Sequence, residues 1–257
     1  MSVYQALTDG LRHGGPVFSA WIGMGEPQIA ATLARSSFDA VTFDMQHGAI
    51  DFAAVTRAAP LVLAAGKPAV ARIPVGDFAT ASRLLDAGLS AIIAPMINSV
   101  ADARALAAFC KFPPVGGRSW GPGESRFFSG LDNAGYLARA NSLLPVFAMV
   151  ETREALAALD GILAVDGIDG VFVGPADLSI ALSGGALMDP QSAEVEQALA
   201  HVVARCRAAG KTPCVYAVTP ERARALAQAG FAFVAVSGDG ALLRAAADSA
   251  VKTARGQ

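Results

Sequence analysis

Charge is what this chain has least of. Only 16% of its 257 residues are Asp, Glu, Lys or Arg, against 53% apolar, and the formal charge is −2. Lys and Arg are scattered rather than clustered, so there is no basic footprint for nucleic acid. Cysteine is scarce too: Cys110, Cys206 and Cys214 are an odd, unpatterned three with no close pair. That speaks against a disulfide scaffold or a zinc module and suits free thiols in a reducing cytoplasm. Long apolar runs are missing although the mean hydropathy is +0.44, so no membrane span is expected. The start, Met1 to Gln5, lacks the basic and apolar blocks of a secretory signal, and the cytoplasm is the expected compartment. No GxGxxG follows the first apolar run, which leaves a dinucleotide site with little support.

What is present is rhythm. Short runs rich in Val, Ile and Phe alternate with Ala-rich amphipathic stretches. Eight runs read as strands: 17–24, 40–46, 68–74, 91–97, 144–150, 170–175, 213–218 and 232–237. Near-continuous apolar strands of this kind are covered on both faces, as in parallel sheets. Helices are predicted from Asp77 to Gly88, Ser99 to Cys110, Thr152 to Leu163, Pro190 to Gly210 and Thr219 to Gly230, by their caps and terminal glycines. Eight strands alternating with helices over this length predict one (β/α)₈ barrel domain spanning 1–257, with an open doubly wound sheet as the alternative. Residues 112–130, rich in Pro, Gly and aromatics, break the rhythm and read as a long functional loop. A soluble chain this apolar is also expected to hide surface between subunits.

Several predicted strands end in polar residues. Asp44, Gln46 and His47 close the second, Arg72 the third, Glu151 follows the fifth and Asp177 the sixth. In a barrel all of these ends share one mouth, where active sites form. Glu151 and Asp177 can be read as hard-cation ligands on neighbouring strands, or as acids that merely cap helices. His47, with Asp44 three residues before it, reads as a base oriented by a carboxylate, or as a packed histidine. Arg72 can stabilise an enolate or carboxylate, or simply pair with Asp44 or Asp77. Gly174-Pro175-Ala176-Asp177 can present backbone N–H groups to an anion, or be an ordinary turn. None of Lys67, Lys111, Lys211 and Lys252 falls at the C-terminal end of a strand, so a Schiff-base lysine is not expected.

The stretches FDMQHGAID (43–51), ARIP (71–74), LLDAGLSAIIAPMINS (84–99), MVETREAL (149–156) and DGIDGVFVGPADLS (166–179) resemble, in order and spacing, the HpcH/HpaI aldolase family. The resemblance implies a metal-dependent pyruvate aldolase acting on a 2-oxo acid and an aldehyde. DMQHG is closer to members that take hydroxypyruvate or broad aldehyde sets. The resemblance further implies Glu151 and Asp177 as ligands of Mg²⁺, Mn²⁺ or Co²⁺, His47 as base with Asp44 as partner, and Arg72 as stabiliser of the enolate. The backbone of Ala176 and Asp177, beside Gly174 and Pro175, would hold the substrate carboxylate. Asp86 matches a carboxylate that raises the basicity of the histidine. Because Asp86 reads as lying at a helix end away from its own mouth, it is expected to act across a subunit interface, in a hexamer with an exchanged final helix. Two departures bear on specificity. Met149 replaces a substrate-contacting glutamine, and Arg118, Trp120 and Pro122 occupy the 112–130 loop. A malyl-CoA or citramalyl-CoA type lyase is the alternative, disfavoured by the lack of a basic cluster for the CoA diphosphate. A non-catalytic metabolite-binding barrel is the second alternative.

Overall fold

A computed structural model describes residues 2–257. Eight strands, β1 (Val17–Ile22), β2 (Ala40–Asp44), β3 (Ala69–Arg72), β4 (Ala91–Ala94), β5 (Val146–Met149), β6 (Gly170–Val173), β7 (Thr212–Ala217) and β8 (Phe233–Gly238), close in sequence order into a barrel. Every neighbouring pair is parallel, β8 to β1 included. The expected strands are all there. Most stop two or three residues earlier than read, because the apolar or polar residues past each end belong to the loops of the mouth.

The pleat sorts residues with period two. Trp21, Val70, Ile93, Phe147, Phe172 and Phe233 pack into one inner cluster. Their strand neighbours Ile22, Ala71, Ile92, Val146, Val171 and Val234 belong to a second, outer cluster shared with the helices. The same alternation puts Asp44, Arg72 and Met149 on the inner side of the last inward layer. The first helix, α1 (Val3–His13), contributes Leu7 to the inner cluster and so covers the N-terminal end of the barrel.

Three expectations change in detail. The 112–130 stretch is not wholly irregular: α6 (Gly123–Ser129) sits inside it and ends on Gly130 in the left-handed conformation at φ 70°. The helix read from Pro190 begins at Ala193, because the Ser192 side chain accepts the Val195 N–H and caps it. The segment 152–163 is two short helices, α8 (Arg153–Ala157) and α9 (Leu159–Leu163), with the break at Ala158. The last helix, α13 (Asp239–Ala254), buries only Asp239, and Leu243 remains 62% exposed. A barrel's closing helix normally buries an apolar stripe, and this one does not do so against its own strands. No helix among the described residues is long and apolar enough to cross a membrane.

Candidate active site

The C-terminal mouth holds a cavity of about 260 Å³ reached by Asp44, Arg72, Met149 and Asp177, with Trp21, Phe172 and Tyr216 forming an aromatic wall. β2 and β3 are in register there, Asp44 beside Arg72. The two make a bidentate pair: Arg72 Nε donates to Asp44 Oδ1 at 2.8 Å and Nη2 to Oδ2 at 2.7 Å. Trp21 Nε1 adds a third side-chain bond to Asp44 at 3.2 Å, and the backbone N–H groups of Gln46 and His47 donate to Oδ1 at 3.1 and 3.2 Å. Burial alone would push the Asp44 carboxyl up. The Arg72 bonds and charge, with the two amides, outweigh it and hold Asp44 below the usual carboxylate range. The guanidinium also lies over the Trp21 ring, 4.9 Å from its centroid.

Glu151, just past β5, is only 2% exposed. Its Oε1 accepts the Met96 N–H at 2.9 Å, and Met96 takes the left-handed φ of 56° that a non-glycine residue adopts only at a cost. Burial first, and the charge of Asp177 after it, push the Glu151 carboxyl up to about 7, against the Met96 bond and the Arg72 charge. Gly174 shows why the two acids can converge. A Cβ on it would lie 2.6 Å from Glu151 Oε2 and 3.8 Å from Asp177 Oδ2. Both carboxylates therefore face the space that a side chain at 174 would fill.

Helix capping does not explain Glu151, whereas Asp177 does stand in a helix's first turn, where an acid suits the dipole. Thr152, not Glu151, caps α8 through its own side chain. α10 (Pro175–Leu182) starts from Gly174 without a side-chain cap bond, and Asp177 lies in its first turn. A buried carboxyl with a raised pKa beside a second acid, in a water-accessible mouth, fits a hard divalent cation that takes two protein oxygens and fills its other positions from water or substrate. No group of three or more metal-binding side chains occurs among the described residues, so a cation here would find no more than two carboxylates from the chain. The N–H groups of Ala176 and Asp177 open α10 after Pro175 and are the orphan donors of a helix start.

The remaining expected residues fall elsewhere. His47 is exposed in the turn after β2. Its imidazole is not what Asp44 binds: the carboxylate is taken by Arg72 and touches His47 only through the backbone amide. This corrects the expected Asp44–imidazole pairing, and it realises the alternative that Arg72 pairs with Asp44; Asp77 instead caps α4 (Phe78–Asp86). Asp86 ends α4 shortly before β4 begins, at the N-terminal end of the barrel, bound to the buried Arg118 at 2.6 Å. Trp120 stands at that same end, half-exposed and packed on Phe112 and Tyr136 with centroids 5.6 and 6.1 Å away. Neither Asp86 nor Trp120 lines the cavity of its own chain. No lysine lines it either. Lys111 is spent on Asp169 and two backbone carbonyls. Trp21 and Tyr216 do line it, although neither was expected there. Their signal was an aromatic residue on the inward phase near the end of β1 and β7.

A closed parallel barrel whose functional groups converge on the C-terminal ends of its strands has the layout of a (β/α)₈-barrel enzyme. The chain belongs to the HpcH/HpaI aldolase/citrate lyase family, whose model matches residues 18–246. It is 43% identical over 245 residues to the hydroxypyruvate/pyruvate aldolase of Rhizorhabdus wittichii, covering 94% of this chain and 95% of that one. It is 34% identical to the 4-hydroxy-2-oxo-heptane-1,7-dioate aldolase of Salmonella dublin, over 95% of this chain and 92% of the relative. A crystal structure of an HpcH/HpaI aldolase/citrate lyase family protein from Burkholderia cenocepacia J2315 superposes with a TM-score of 0.86 at 29% identity, covering 97% and 99% of the two chains.

Proposed function

We propose that this protein is a divalent-metal-dependent aldolase that joins pyruvate or hydroxypyruvate to an aldehyde, and reverses the reaction, through an enolate. The observation that carries this is the approach of Glu151 and Asp177 to Gly174, at the edge of the cavity that Asp177 lines together with the Asp44-clamped Arg72. The names of the relatives at 43% and 34% identity point the same way. A cation such as Mg²⁺, Mn²⁺ or Co²⁺ held by Glu151 and Asp177 would supply Lewis acidity to the keto and carboxylate oxygens of the 2-oxo acid.

The chain's own groups do the rest. A guanidinium has five N–H donors; two of Arg72's are fixed on Asp44, which orients the others for the enolate oxygen. The free N–H groups of Ala176 and Asp177 receive the substrate carboxylate at the start of α10, beside Gly174 and Pro175. Met149, Trp21 and Phe172 exclude water from the forming carbanion. In cleavage, His47 takes the proton of the 4-hydroxyl, directly or through water. The C3–C4 bond then breaks, its electron pair passing to C3 as the enolate while C4 leaves as the aldehyde. Protonation at C3 releases the 2-oxo acid.

Asp86 and Trp120 sit at the other end of the barrel, so in this reading they serve the mouth of a second copy, where Asp86, held by the buried Arg118, would raise the basicity of that copy's His47. The unburied α13 supports such an assembly, a hexamer with an exchanged final helix, and the three buried, unpaired cysteines suit a cytoplasmic protein. The test is turnover of an aldehyde panel with both donors, with and without Mg²⁺ or Mn²⁺, together with exchange of the pyruvate methyl protons in D₂O. Exchange should need the metal and stop with EDTA. A lysine trapped by borohydride in the presence of pyruvate would defeat the reading.

A further inference from the structure

We propose that Tyr216 reads a hydroxyl on the carbon next to the reacting carbonyl, making this site selective for hydroxylated over plain substrates; the proposal rests on the aldolase reading above. Among the side chains that line the mouth cavity, Tyr216 alone carries a neutral O–H. Its ring is fixed edge-on to Trp21, with centroids 5.3 Å apart, so the phenol is presented by a packed aromatic pair rather than a mobile chain. The other polar groups are engaged or charged. The Trp21 N–H and two Arg72 donors are held by Asp44, and Asp177 is a carboxylate beside Gly174. Met149 and Phe172 offer no hydrogen bond.

The Tyr216 hydroxyl has no hydrogen-bond partner among the described residues, and the charges that reach it are those of Arg72, Asp44 and Asp239. Burial raises its pKa, so at neutral pH it is an O–H able both to donate and to accept. A substrate hydroxyl entering this half-buried space gives up water and needs a protein partner, and a plain substrate leaves the phenol unmatched. The hydroxyl can arrive from two sources: on C3 of the 2-oxo acid, as in hydroxypyruvate, or on C2 of the aldehyde, as in glycolaldehyde.

The experiment compares wild type with Tyr216→Phe, both loaded with Mg²⁺. The phenyl ring keeps the packing on Trp21 and removes only the oxygen. kcat/KM is measured for pyruvate with acetaldehyde, hydroxypyruvate with acetaldehyde, and pyruvate with glycolaldehyde. The expected result is a fall of about tenfold in one ratio of hydroxylated to plain substrate, the size of one lost hydrogen bond to a neutral group. The ratio that falls identifies the component carrying the hydroxyl. Ratios unchanged within about twofold, including an equal loss on all three pairs, would overturn the role of Tyr216 while leaving the aldolase reading intact. A folded, metal-loaded wild type inactive on every pair overturns the aldolase reading itself, and this inference with it.

Discussion

Glu151 gives the sharpest physical test, because its protonation can be read in stability without any substrate. Its carboxyl stands at about 7 in the metal-free fold against 4.5 as the ordinary value, mainly because burial disfavours the charge. A folded-state pKa above the unfolded one contributes stability that is fully present below the unfolded value and lost as pH rises through the folded value. The window is therefore pH 4.5 to about 7 and just above. At about 1.4 kcal/mol per pH unit, that gap is worth about 3 kcal/mol. In a barrel of this size the loss lowers Tm by on the order of 10 °C. The assay is urea or thermal unfolding in EDTA from pH 5 to 8.5, for wild type and Glu151→Gln. The glutamine keeps an acceptor for the Met96 N–H but cannot ionise. Wild type should lose about 3 kcal/mol relative to the variant across that range, and Mg²⁺ should restore wild type at pH 8 far more than at pH 5. Saturating metal at about a hundred times Kd returns a similar amount, about 3 kcal/mol. Parallel pH profiles for the two proteins would refute the claim that a charge is being forced into a cation-less pocket.

Two further outcomes follow from the same mouth. Gly174→Ala should fold, since φ −98° and ψ 93° suit an L-residue, yet its Cβ would press on Glu151 Oε2; calorimetry should show metal binding weakened at least about tenfold, and unaltered affinity would count against the two-acid site. Asp44→Asn should strip Arg72 of its buried counter-charge, costing about 3 kcal/mol of stability and most of the turnover. Because the Asp44 pKa is depressed, the wild-type stability that this pair contributes is present above the unfolded carboxylate value and fades on acidification, so the gap between variant and wild type should close toward low pH. Equal destabilisation at pH 3 and pH 7 would contradict that assignment.

Much of this was legible in the sequence, because a parallel barrel writes its inner layer with period two. The eight strands, the single mouth and the lack of a lysine in it follow from apolar runs and from where the charges stop them. What could not be read was which partner each charge takes. Asp44 lies three residues from His47 in the chain, but β2 and β3 register sets it beside Arg72, and register is not local information. The helix inside 112–130 was masked by its aromatics, although Pro122 before it and Gly130 after it are ordinary start and stop signals. The weak burial of α13 is invisible in an Ala-rich amphipathic pattern, which looks the same whether its apolar side meets its own barrel or another surface. Trp21 and Tyr216 carry no charge, and an aromatic on an inward phase has the same pattern in the sequence as core.

Asp44 and Glu151 are buried to a similar degree, yet one is driven below the ordinary carboxylate range and the other up to about 7. The difference is what stands opposite each. Asp44 has a guanidinium bonded to both oxygens, an indole N–H and two amides. Glu151 has one amide, and the nearest charge it meets that disfavours ionisation is another acid. A fold that already contains a satisfied acid–arginine pair does not need a second acid left short of positive charge for stability. Under the proposed function that acid is kept for a cation, and Gly174, by lacking a Cβ, leaves room beside Glu151 and Asp177 in which the cation would be shared.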